Sequence, residues 1–107
     1  MVERHWKGIA KKEKAQEYID HLKNETFRKL KEIHGFVSAS VLTRDLPDGV
    51  EFLIVTKWET TDAIKQFAGE KIDIAVVPKP VQHMMLRYDD YVSHYEVNFI
   101  TNEVKTP

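Results

Sequence analysis

The stretch between residues 36 and 58 constrains the fold of this chain more strongly than any other. Two strand-like runs, residues 36–44 and 50–58, flank a turn sequence, LPDG, at residues 46–49. Proline fixes its own φ, and glycine accepts the positive φ that many turns require. Two such runs joined by a short turn predict a β-hairpin. The sequence therefore predicts an antiparallel pair of strands in the middle of the chain.

A strand and a long helix are predicted before the hairpin. Residues 2–9 alternate between two faces, as the residues of a strand do. Residues 11–34 show helical periodicity, and the glycine at position 35 is well placed to end a helix. The predicted inward stripe of this helix consists of Ala15, Tyr18, Ile19, Leu22, Thr26, Leu30 and Ile33.

A second helix is predicted after the hairpin. Thr60 or Thr61 can cap its start, Asp62 suits its first turn, and Gly69 suits its end. The residues predicted to be buried from this helix are Ala63, Ile64, Phe67 and Ala68.

The C-terminal part is predicted to contain one more strand. Residues 92–100 have a strand-like pattern of apolar and polar side chains. Residues 70–80 leave open a short helical turn, because Pro78 and Pro80 exclude a long helix. Residues 101–107 are predicted to form a polar tail.

The order of these elements, β-α-β-β-α-β, predicts an α+β fold of the ferredoxin-like type. With right-handed crossovers, such a chain forms an antiparallel sheet with both helices on one face. No Pro/Gly/Ser-rich linker or obvious repeat interrupts the order, so we expect one domain over residues 1–100.

Composition argues against several classes of protein. Hydrophobic residues make up 42% and charged residues 31% of the chain, which is typical of a globular protein. The formal net charge of −1 favours neither nucleic acid nor an anionic membrane as a partner. The chain has no cysteine, which excludes disulfides and thiolate chemistry. Without a signal-peptide core or a membrane-length apolar run, a cytoplasmic location is expected by default.

The predicted strands carry apolar side chains on both faces. In the third strand Phe52 and Ile54 lie on one face, while Leu53 and Val55 lie on the other. Two helices can cover only one face of a sheet, and a large exposed apolar face is unusual in a monomer. The second face is therefore predicted to pack against another copy of the chain in a two-fold homodimer.

The order of these motifs resembles the antibiotic biosynthesis monooxygenase (ABM) family. The residues that carry the resemblance are the first-strand pattern Arg4-x-Trp6-x-Gly8, the long helix, Gly35-Phe36, the stretch of residues 51–70, and residues 92–97. Members of that family pair their sheets into a dimeric α/β barrel, and some oxygenate polycyclic aromatic compounds without a metal or a flavin. The resemblance implies the same dimeric barrel and no cofactor.

Another branch of that family binds and degrades haem. It is similar to this chain in layout, but it uses an Asn on the first strand, a Trp in the second helix and a following His as the iron ligand. Here no Asn precedes Asn24, and the positions that match the Trp and the His hold Phe67 and Val77. The resemblance therefore argues against haem degradation.

Two pairs of side chains can meet on the predicted sheet. Arg4 and Trp6 share a face of the first strand, and His94 and Glu96 share a face of the last. The first and last strands of a ferredoxin-like sheet are neighbours, so these side chains can lie together. Burying the polar groups of these side chains without partners costs free energy. We therefore expect the four side chains to line a cavity between the sheet and the helices.

The functional interpretation gives each candidate a role. The predicted catalytic residues are His94, which would move a proton, and Arg4, which would hold an oxyanion. The predicted substrate-binding residues are Trp6 and Trp58, which would stack an aromatic ring, together with Phe67 and Glu96. The alternative is purely structural: the two tryptophans belong to the core, and His94 and Glu96 are satisfied by their neighbours.

Three functions remain open from the sequence. The first is a cofactor-independent monooxygenase acting on an electron-rich aromatic or quinol-like ring, in which a base removes a ring proton and the carbanion reacts with O₂. The second is a non-catalytic protein that binds a small apolar or aromatic ligand. The third is a haem-binding protein with an unfamiliar ligand such as His83 or His94, although the histidines show no metal-binding spacing.

Overall fold

The centre of the fold is a five-stranded antiparallel sheet, seen in a computed structural model that describes residues 1–101. Its strands are β1 (Val2–Ala10), β2 (Phe36–Asp45), β3 (Val50–Trp58), β4 (Met85–Tyr88) and β5 (Ser93–Glu96). They lie in the order β2-β3-β1-β4, and β5 also pairs with β1. The predicted α+β fold and the hairpin are confirmed. Apart from Thr101, the predicted tail of residues 101–107 lies outside the described residues.

The helices all pack on one face of this sheet, as predicted. In chain order they are a 3₁₀ turn (Lys12–Lys14), α1 (Ala15–His21), a π-helical turn (Leu22–Thr26), α2 (Phe27–Leu30), α3 (Thr61–Ala68) and α4 (Lys79–Met84). The first four elements follow one another without a break, and together they correspond to the long helix predicted over residues 11–34. This helical segment ends at Leu30, however, and Gly35, with a φ of 98°, instead makes the turn into β2.

The predicted boundaries of α3 are confirmed by its caps. The hydroxyl oxygen of Thr60 accepts a hydrogen bond from the backbone N–H of Ala63 at 3.1 Å, which satisfies one free donor of the first turn. Gly69 follows the last helical residue with a φ of 81°, a conformation that favours glycine.

The C-terminal third differs from the prediction in three respects. The sequence does not predict α4, which begins at Lys79 with Pro80 in its first turn, where a missing N–H breaks no helical bond. It does not predict β4 either. The strand predicted over residues 92–100 is wrong in extent, because only β5 is a strand within that range.

Pairing along β1 explains this division. β4 pairs with the end of β1 and β5 with its start, where Arg4 faces His94. Between them, residues 90–92 leave the edge of β1 and bond to residues 73–75 through backbone groups. The chain therefore follows β1 as two short strands rather than one long strand.

The core consists of two clusters between the helices and the sheet. The first contains Ala10, Tyr18, Leu22, Phe52, Ile54, Val81, Met84 and Met85. The second contains Leu30, Trp58, Ala63 and Ile64. No helix within residues 1–101 is long and apolar enough to cross a bilayer.

No helix of residues 1–101 lies on the opposite face of the sheet. The residues that β3 presents there are half-buried: Glu51, Leu53, Val55 and Lys57. β2 is an edge strand of the sheet, and its Leu42 pairs with Leu53 and is 48% exposed. A bulge between Phe36 and Ser38 interrupts the pairing of β2 with β3.

Candidate functional site

A small cavity lies between the sheet and the helices. Its volume is about 70 Å³, and its wall includes Leu22 from the first core cluster and Leu30 from the second. Most of the side chains that line it are apolar, and Arg4 is the one charged residue among the described residues of the lining. The cavity therefore combines an apolar wall with a single cation.

Arg4 forms the polar wall of the cavity. Its side chain, on a residue only 5% exposed, donates hydrogen bonds to the backbone carbonyls of Ile72 and Ile74, the latter at 3.2 Å. The guanidinium carbon lies 5.8 Å from the ring centre of Phe67, within cation–π range. Burial lowers the pKa of Arg4 to about 10, with the carboxylate of Asp73 opposing this shift. Arg4 is therefore still a cation at neutral pH.

His94 lies between Arg4 and Asp73. Its Nε2 is 3.1 Å from Nη1 of Arg4, and its Nδ1 is 3.1 Å from Oδ1 of Asp73. Because a guanidinium can only donate and a carboxylate can only accept, Nε2 is the acceptor and Nδ1 carries the proton. Burial, followed by the charge of Arg4, lowers the pKa of His94 against the opposing effect of Asp73. His94 is therefore neutral at pH 7, with both ring nitrogens in hydrogen bonds.

Three hydroxyl groups belong to side chains of the cavity wall. Tyr18 is 3% exposed, and burial raises the pKa of its phenol, which therefore stays protonated. The hydroxyl oxygen of Thr56 accepts a hydrogen bond from Nε1 of Trp58 at 2.9 Å, so its own hydrogen is left to donate elsewhere. Thr26 ends the π-helical turn, a type of turn that occurs frequently at functional sites.

A family comparison places this cavity in a known context. The sequence profile of the antibiotic biosynthesis monooxygenases matches residues 2–71. The chain belongs to this family. The matched part of the ABM chain contains β1, the hairpin and α3, and with them Arg4, Trp6 and Phe67 of the cavity wall.

Solved structures share the fold of this ABM chain. A candidate antibiotic biosynthesis monooxygenase from Bacillus cereus matches it with a TM-score of 0.67 and 18% identity, over 98% of both chains. A second candidate, from Deinococcus radiodurans, matches with a TM-score of 0.62 and 16% identity, over 98% of this chain and 100% of that one. No functionally curated protein matches the chain. At these identities, the likeness to the solved structures concerns the fold alone.

Three of the six predicted site residues of the ABM chain line the cavity: Arg4, Trp6 and Phe67. The indole Nε1 of Trp6 donates to the backbone carbonyl of Asp89 at 2.8 Å, which holds the ring at the wall. Strand alternation predicts the shared face of Arg4 and Trp6 correctly. Whether these side chains act on a substrate stays a prediction.

The other three, Trp58, His94 and Glu96, are absent from the lining. Trp58 is fully buried at the end of β3, edge-on to Phe36 at 5.3 Å between ring centres. His94 is bonded to Arg4 and Asp73, and the side chain of Glu96 is 70% exposed, 3.8 Å from the N-terminal amine. The predicted cavity shared by Arg4, Trp6, Trp58 and His94 is therefore wrong for the last two.

Sequence reasoning also missed several residues of the wall. Tyr18 and Thr26 fall on the predicted inward stripe of the first helix, and a threonine on such a stripe is the signal that could have marked the site. Val76 and Pro78 come from the ambiguous stretch before α4, where no local pattern indicated a wall.

Few side chains of the described ABM chain are placed to act as ligands for a metal ion or a haem iron. Within residues 1–101, no three His, Cys, Asp or Glu side chains lie close enough together to hold a metal ion. His83 is exposed on α4, and both ring nitrogens of His94 are occupied, so neither offers a ring nitrogen to the cavity. These residues do not fit a haem in the cavity.

Proposed function

We propose that this chain is a small monooxygenase that oxidises an electron-rich, quinol-like ring without a cofactor. Family membership and the shared fold support the general role of a monooxygenase or a small-molecule-binding protein. The observation that carries the finer proposal is the guanidinium of Arg4 in the wall of an apolar cavity. A cation held in such a poorly solvated place stabilises a substrate oxyanion more strongly than it would in water.

The proposed reaction needs no external reductant. An anthrone-type substrate ionises to an enolate whose oxygen lies beside Arg4, and the ring proton leaves to solvent. The enolate carbon then donates electrons to O₂. Overall the methylene carbon loses four electrons and dioxygen gains four: one oxygen atom becomes the new carbonyl, and the other leaves as water with the two methylene hydrogens.

The side chains of the wall have separate tasks in this proposal. Arg4 stabilises the oxyanion, and Tyr18, which stays protonated, donates a hydrogen bond. Trp6 and Phe67 supply aromatic surface for the edge of the ring that carries the oxygen. His94 is predicted from the sequence as the base, yet its Nε2 can take a proton only after the hydrogen bond from Arg4 opens. We therefore assign His94 to holding Arg4 in position.

Oxygen consumption tests this proposal. The purified protein, with a metal chelator and no flavin, is mixed with anthrone in an oxygen electrode, and the rate without protein is subtracted. We expect consumption above that background, with one O₂ used for each anthraquinone formed from anthrone. Arg4→Met should reduce the rate about 10- to 160-fold, since hydrogen bonds to charged groups contribute about 1.5–3 kcal/mol.

The matched control is Arg28→Met, which removes an exposed arginine from α2. It should leave the rate unchanged. Arg4→Lys keeps the cation but not its two-pronged geometry, and should fall between the wild type and Arg4→Met. Equal rates for Arg4→Met and Arg28→Met, with both variants folded by circular dichroism, would remove Arg4 from the mechanism.

A non-catalytic binding protein is the second candidate function. It is favoured by His94, since the residue best suited to act as a base has both nitrogens occupied. Under this alternative, ring compounds bind with the same dependence on Arg4, but no oxygen is consumed with anthrone.

We also infer that two copies of the chain pair through the helix-free faces of their sheets. ABM-family proteins are typically dimeric. The face carries Leu42, which is 48% exposed, and the half-buried Leu53 and Val55. Covering these apolar side chains with a second copy would remove them from water and stabilise the pair.

A further inference from the structure

A groove on the outer surface meets the cavity at a common wall. The groove has a volume of about 400 Å³, and His21, Glu25 and Lys29 line it from the first helical segment. Four residues belong to the walls of both spaces: Thr26, Phe67, Val76 and Pro78. We call these four residues the neck, because they line both the cavity and the groove.

Size determines what each space can hold. The cavity of about 70 Å³ is smaller than an engineered cavity of about 150 Å³ that binds benzene. The groove of about 400 Å³ falls within the range of about 300–1,000 Å³ that is usual for small-molecule sites. A whole ring is therefore too large for the cavity alone, and the groove that shares its wall is large enough to hold the rest of the molecule.

The chemistry of the groove matches an apolar extension of such a ring. The side chains of the neck are mainly apolar, and Pro80 continues this surface into the groove. On the opposite side, His21, Glu25 and Lys29 are spaced four residues apart, so they form a polar rim along one face of the helical segment. The groove thus presents an apolar floor beneath a polar rim.

We propose that the ligand is an elongated ring compound that occupies both spaces. Its hydroxyl-bearing edge lies in the cavity beside Arg4, its ring passes the neck, and its apolar extension lies in the groove. This inference rests on the proposed function for the hydroxyl at Arg4, and it does not depend on catalysis. It adds a second binding region and a substrate class, namely phenols that carry an apolar chain or a further ring opposite the hydroxyl.

Calorimetric titration with phenol, 4-propylphenol and 4-hexylphenol tests the proposal. The titrations are done under nitrogen, so that binding is measured without oxidation. We expect phenol to bind weakly and each added methylene group to tighten binding, by up to about fourfold if it is fully buried. The increase measures how far the ligand extends into the groove.

Two valine variants show whether the neck is responsible. Val76, in the neck, is 45% exposed, and Val37, on β2 and outside the groove, is 42% exposed. Val76→Glu places a charge in the path of the alkyl chain, so it should abolish the gain from phenol to 4-hexylphenol. Val37→Glu introduces the same charge at a similar exposure and should leave that gain intact.

Each outcome decides a separate point. If phenol binds but chain length makes no difference, or if both valine variants behave alike, the groove is not part of the site, and the proposed function is unaffected. If none of the three phenols binds, both the site for a ring hydroxyl at Arg4 and the elongated ligand are overturned. A gain that is lost only in Val76→Glu supports the proposal, whatever the oxygen electrode shows.

Discussion

Nη1 of Arg4 lies 3.1 Å from Nε2 of His94, so the charged wall of the cavity is joined directly to β5. Both side chains also bond to residues 72–74: Arg4 to two backbone carbonyls, and His94 to the carboxylate between them. The neck residues Val76 and Pro78 follow directly in the chain. A change at either strand residue should therefore affect the wall of the cavity as well as its charge.

The role of His94 can be measured through turnover. If His94 holds Arg4 in place, His94→Ala should slow oxidation by less than about tenfold, whereas loss of a general base typically costs about 10²–10⁴ in rate. The rates are compared at saturating substrate, with the fold of the variant checked by thermal unfolding. Rescue by His94→Gln, which can still accept from Arg4 but cannot act as a base, separates the two roles further. A loss above a hundredfold in both variants would restore the predicted base.

Stability should depend on pH through the same histidine. The pKa of His94 in the folded chain lies below its ordinary value of 6.5, so the unfolded chain binds a proton more readily. The free energy of unfolding should therefore fall as the pH drops below about 6.5, until the folded pKa is reached. Urea titrations at pH 7.5 and 5.5 measure this loss. In His94→Gln the loss should be smaller, and an equal loss would mean that other groups cause it.

Gly8 controls the position of the Trp6 indole. A Cβ atom added at Gly8 would lie 2.6 Å from Cη2 of Trp6 and 3.2 Å from Sδ of Met85. Gly8→Ala should therefore displace the indole, weaken the binding of 4-hexylphenol and lower the free energy of unfolding by about 1–3 kcal/mol. A smaller ring relieves the contact. The double variant Gly8→Ala/Trp6→Phe should therefore lose less free energy of unfolding than the two single variants lose together. Urea denaturation measures these losses, and a double variant whose loss equals the sum of the two single losses would contradict this account.

The proposed dimer has a direct test in the molecular mass. Leu42→Glu places a charge on the helix-free face, and we expect light scattering to change from twice the chain mass of 12.5 kDa to that mass itself. Val76→Glu introduces the same charge at a similar exposure on the helix side, and it should remain dimeric. A wild-type mass of 12.5 kDa at micromolar concentration would exclude the dimer.

Local sequence signals were sufficient for the hairpin and for α3. The hairpin turn and the Thr60 and Gly69 caps each act within a few residues, so a single sequence displays them. The division between β4 and β5 has a different origin, because it depends on residues 73–75 pairing with a segment that follows them at a distance. No local pattern reports such a contact.

The candidate site shows the same limit. Strand alternation has a period of two, so it predicted that Arg4 and Trp6 share the helix-covered face. Alternation cannot show how far along a strand the cavity extends, and Trp58, although it lies on the same face, is not among the residues that line it. For His94 the face was right, but the carboxylate of Asp73, which occupies one ring nitrogen, lies in a segment whose fold the sequence left open.

The bulge between Phe36 and Ser38 limits how this sheet can grow. β2 is an edge strand of the sheet. The free N–H and C=O groups of such an edge can template a strand from another molecule, as happens in fibrils. The bulge breaks the regular repeat of these groups. Near the other end of β2, Arg44 forms an ion pair with Glu51 at 2.6 Å and places charge beside the edge. The bulge and this charge therefore make the β2 edge a poor template for a strand from another molecule.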